Sequence, residues 1–83
     1  MLHHADYAIG ISQLLDVTTS VQPDDGLGPL AGRVIALGWW VDPEAASDPE
    51  HVPTGTLYLV VDERRTRPYW VSERDLVSLR LGD

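Results

Sequence analysis

Two runs of the chain hold the side chains best suited to recognition. Arg64, Arg65 and Arg67 stand just before Tyr69 and Trp70, and cations interleaved with aromatics suit phosphate contact, base stacking or an acidic protein patch. Trp39 and Trp40 are neighbours, and adjacent residues of a strand point to opposite faces, so one of the two should reach a surface. Trp39, Trp40, Arg65, Tyr69 and Trp70 are therefore the expected binding residues. The plainer alternatives are one tryptophan in the core with the other beneath a loop, and arginines that form a solvated hairpin tip.

Catalytic and metal-binding patterns are sparse. Met1-Leu2-His3 has the form that wraps Cu(II) in a square plane when the amino terminus is free, yet that spacing also arises by chance. The acids of Asp42-Pro43-Glu44 and Asp48-Pro49-Glu50 lack the alternating ligands and central glycine of a calcium loop. No motif places Ser72, Glu73 or Asp75 beside His51, and no nucleophile elbow, phosphate loop or dinucleotide fingerprint occurs. The expectation is no catalytic residue, no metal and no cofactor.

Composition narrows the partners. Thirteen acids against six arginines give a net charge of -7 over 83 residues. Residues 1–55 carry eight of the acids and only Arg33. Such a surface repels phosphate, so nucleic acid is disfavoured as a partner, and so are anionic membranes. The absence of cysteine removes disulfides and thiolate chemistry. No leader-like segment and no apolar run near the ~18 residues of a membrane span occurs, so a cytoplasmic location is expected. The lack of Lys, Asn and Phe fits a GC-rich genome.

The elements that must position these residues read as β throughout. The chain is expected to form one domain, with 1–6 a loose terminus. From Tyr7 to Val21 the apolar residues alternate by twos, giving one long strand bent at Gly10 or two short ones. A helix over 5–16 is the competing reading. Gln22–Gly32 is a loop dense in glycine and proline. Arg33–Val41 is a strand, with Val34, Ala36 and Gly38 on one side and Ile35, Leu37, Trp39 and Val41 on the other. Asp42–Thr54 is a long acidic loop. Thr56–Asp62 is a strand with Leu57, Leu59 and Val61 as its apolar face, Glu63–Arg67 a charged connection, and Pro68–Ser72 a further strand. Ser72, with Asp75 three residues on, suggests a capped 3₁₀ turn before Leu76–Leu81 extends again.

Five short strands with a tight turn before the last, together with Gly38-Trp39-Trp40, resemble a Src-homology-3-like (SH3-like) small barrel. In that family the first tryptophan of the pair lines a groove for proline-rich peptides, which the resemblance would assign to Trp39. The family's N-terminal ALYDY-type motif is not present, and Trp70-Val71-Ser72-Glu73-Arg74-Asp75-Leu76 replaces the proline and tyrosine near its last strand. The same strands also look like small bacterial barrel domains of unassigned role. The expected fold is an all-β, five-stranded, partly open SH3-like barrel with two long loops. The expected function is a non-catalytic protein–protein interaction or accessory module of a bacterial cytoplasmic complex, with self-association as a further option. The rival readings are a nucleic-acid-binding small barrel and a small subunit or regulator of a larger enzyme.

Overall fold

A computed structural model of the chain describes Ala5 and residues 7–40 and 55–82. The acidic segment 42–54, Val41, the three histidines and most of the expected loose terminus lie outside the described residues. The described chain contains β1 (Tyr7–Thr19), β2 (Ala31–Trp40), β3 (Gly55–Val61), β4 (Tyr69–Ser72), a 3₁₀ turn (Glu73–Asp75) and β5 (Leu76–Leu81). They form one antiparallel sheet in the order β4-β3-β2-β1-β5, curled into a half-barrel. Among the described residues no helix is long and apolar enough to cross a membrane.

The sequence reading left a helix over 5–16 as a competitor, and from Tyr7 onward it does not form. Apolar residues recur there by twos, broken at Gln13, which suits a strand better than a helix. Gly10 is where the register breaks rather than where the strand stops. β1 tracks β2 through Gly10↔Ala36 and resumes at Leu15↔Val34, so a stretch of β1 bulges out opposite the single residue Ile35. Ile35 is also skipped against β3, between Val34↔Val60 and Ala36↔Leu59.

That bulge corrects the expected sides of β2. Directly opposed residues in an antiparallel pair share a face, so Val34, Leu37 and Trp39 stand together with Tyr58 and Val60 on the inner face. Ala36, Gly38 and Trp40 stand with Leu57 and Leu59 on the outer one. Strict alternation assigned Val34 to the side of Ala36, and one extra residue is enough to swap it. β3 keeps the expected alternation and turns Val60, on the side of Tyr58, into the core. Leu57 is also fully buried, on the opposite face, because the Trp70 ring lies across neighbouring Gly38.

The core consists of Val17, Leu30, Val34, Val60 and Val71, with Leu15, Leu37, Tyr58, Tyr69 and Leu76 packed around it. Leu30 comes from the β1–β2 loop and is fully buried, which stabilises the fold by about 2–3 kcal/mol. Backbone bonds hold it there. The Leu30 N–H donates to Val21 C=O at 2.7 Å, and the Thr19 N–H and hydroxyl both donate to Leu30 C=O. The 3₁₀ turn is where the sequence placed it, but Ser72 makes no side-chain cap, so its backbone alone shapes the turn.

Candidate functional site

The charged connection after β3 is not a free hairpin tip. Asp62 is 2% exposed, and its carboxylate accepts bonds from Arg64 Nη2 at 2.8 Å and Arg65 Nη1 at 2.6 Å, as well as from the backbone N–H of Ala31 and Arg64. Arg65 continues to the β1–β2 loop, donating through Nε to Asp25 at 2.8 Å and through Nη2 to Gly28 C=O. Arg64 donates to the carbonyls of Leu27 and Pro29. Each guanidinium thus satisfies loop carbonyls whose own residues form no ladder, and the two connections become one body.

These contacts set the electrostatics. The Arg64 guanidinium beside Asp62 holds its carboxyl well below the usual carboxylate range, and Arg65 lowers Asp25 in the same way. Asp25 and Asp62 in turn push the guanidinium of Arg65 further toward its charged form. Burial raises the Tyr58 hydroxyl. The shifts of Asp62, Asp25 and Arg65 favour fixed charges in a structural clamp.

The five residues expected to bind do not share a surface. Arg65 is withdrawn into the clamp, its side chain only 2% exposed, which corrects its expected place on a contact face. Trp39 and Tyr69 stand on the inner face, where Tyr69 packs on the core and the Arg67 guanidinium lies 5.5 Å from its ring centroid. Trp40 and Trp70 stand on the outer face, their rings lying across Gly55 and Gly38. A side chain at either glycine would collide with the tryptophan, so small residues and rings fit as pairs. All four aromatics are half-buried.

A concavity lies elsewhere, on the outer face between the ends of β1, β2 and β3. It is a groove of about 640 Å³ lined by Asp16, Ala31, Gly32, Arg33, Ile35, Val61, Asp62, Glu63 and Arg64. Ile35 and Val61 are exposed there by 45% and 37%. Cross-strand pairing sets Arg80, Asp16, Arg33 and Val61 in one row across four strands. Arg33 Nε lies 3.7 Å from Asp16 Oδ1 with both side chains partly solvated, a weak pair that can exchange partners. Sequence reasoning missed this groove because the bulge that turns Ile35 outward leaves no local signal.

Among the described residues no three His, Cys, Asp or Glu side chains converge as a metal site would need. Comparison with protein-family models, with curated proteins and with solved structures returned no match to this chain.

Proposed function

We propose that this chain is a non-catalytic protein-interaction module built on an SH3-like barrel, and that it holds an extended segment of a partner protein in the groove beside Ile35. Support for the barrel type comes from the strand order, with the last strand beside the first, and from the 3₁₀ turn before β5. The observation that carries the function is the exposure of two large apolar side chains, Ile35 and Val61, in a groove also lined by charges of both signs. An apolar lining gives a bound segment affinity, while Arg33, Asp16 and Glu63 select its charged residues.

Two features weigh against the nucleic-acid reading. Arg64 and Arg65 are already bonded to carboxylates, and the chain as a whole carries a charge of -7. Selection from a displayed random-peptide library against the immobilised domain tests the proposal. Enriched peptides should lose binding at least tenfold to Ile35→Glu and keep it with Val77→Glu. Failure to enrich any peptide, or binding indifferent to Ile35→Glu, would remove the groove as the site.

A further inference from the structure

Among the described residues β5 pairs only with β1 and ends the sheet, so its second edge is open there. Open edges are usually short, charged or broken by proline, because a row of unpaired N–H and C=O groups is a template for another strand. Leu76–Leu81 is six residues long, and Arg80 is its only charge.

One bond fixes which backbone groups face outward. The Gly82 N–H donates to Leu14 C=O at 2.8 Å, flanking the Leu15↔Leu81 pair, so that pair exchanges no bonds of its own. By alternation Arg80 and Ser78 bond to Asp16 and Thr18 of β1, whereas Leu79 and Leu81 aim their N–H and C=O at the open edge. The side chains of Leu79 and Leu81 are 40% and 67% exposed, and Val77, at the bulge beside them, is 71% exposed.

The pattern is complementary to itself. About a two-fold axis through Leu79, an antiparallel copy sets Leu79 against Leu79, Val77 against Leu81 and Ser78 against Arg80. Every exposed apolar residue of the strand then meets another, and the arginine meets a serine rather than its own kind. Within the strand itself no carboxylate opposes the pairing, since β5 holds none of the thirteen acids. We infer that the chain forms a symmetric dimer in which β5 pairs antiparallel with β5 of a second copy, joining the two sheets. The dimer uses none of the groove residues and stands or falls separately from the peptide-binding reading.

Sedimentation equilibrium of the full chain tests it. An edge of six residues is small for an interface, so half-dimerisation is expected at roughly 100 µM. Leu79→Pro removes an outward donor and no bond to β1, which edge strands tolerate, and it should weaken the dimer at least tenfold with the β-sheet circular dichroism kept. The chain has no cysteine, so Leu79→Cys, with its Cα about 5.5 Å from its counterpart, should crosslink in air far faster than Leu81→Cys, whose counterparts stand about 13 Å apart along the strand. The Cys pair carries the test should the proline variant not fold. A monomer up to about 1 mM, a larger closed assembly, a dimer untouched by Leu79→Pro, or equal crosslinking of the two Cys variants would overturn the inference.

Discussion

Arg65 Nη1 donates to the Asp62 carboxylate at 2.6 Å, and both side chains are 2% exposed. Through Asp25 and Gly28 the same guanidinium reaches a loop some forty residues earlier in the chain. A buried charge pair adds little over apolar packing, but removing one partner strands the other in a site without water. Asp62→Ala is therefore expected to destabilise the domain by about 3 kcal/mol in urea denaturation, because it removes the carboxylate that joins both arginines and leaves the backbone N–H groups of Ala31 and Arg64 unmatched. Arg65→Lys should not restore wild-type stability, since a point charge cannot span both carboxylates as a planar fork does. An Asp62→Ala variant as stable as wild type would show that the clamp is incidental.

The clamp also sets the response to acid. Asp62 and Asp25 titrate lower in the folded chain than their ordinary value of 3.8. The unfolded chain thus takes up protons first, so the stabilisation is complete above about pH 4 and is lost progressively as pH falls below it. Thermal melts between about pH 7 and 2.5 should show a drop in midpoint beginning near pH 4. Asp62→Asn should start lower and fall less steeply.

Gly32 tests the closure of the half-barrel. A Cβ there would overlap the Val61 carbonyl and lie 3.0 Å from Asp62 Cα, backbone against backbone with no flexible group to give way. Gly32→Ala is expected to cost about 2–3 kcal/mol. At Gly10 a Cβ meets nothing within 4 Å, so Gly10→Ala should be neutral or gain about 0.5 kcal/mol. Equal effects of the two substitutions in denaturant melts would contradict the described path of β3 over β2.

Much of the fold was legible because alternation and turn residues are local signals. Leu76–Leu81 has the predicted bounds, and the 3₁₀ turn stands ahead of it. What the sequence hid depends on registers between strands. Nothing around Ile35 marks it as a bulge, yet that one residue decides which sides of β2 face the core and opens the groove. Arg65 was misplaced for a related reason. A run of arginines after a strand looks solvated until Asp25, remote in sequence, is brought beside it. The aromatics were correctly divided between faces as neighbours, but gathering Trp39, Trp40, Tyr69 and Trp70 on one surface is something that the sheet's register does not allow.

The groove beside Ile35 is tested most directly by amide chemical-shift mapping of the labelled domain titrated with a library-selected peptide. Perturbations centred on Gly32, Arg33, Ile35 and Val61, and abolished by Ile35→Glu, are the predicted result. Perturbations confined to Trp39, Tyr69 or β5, with the groove amides unmoved at saturation, would contradict it.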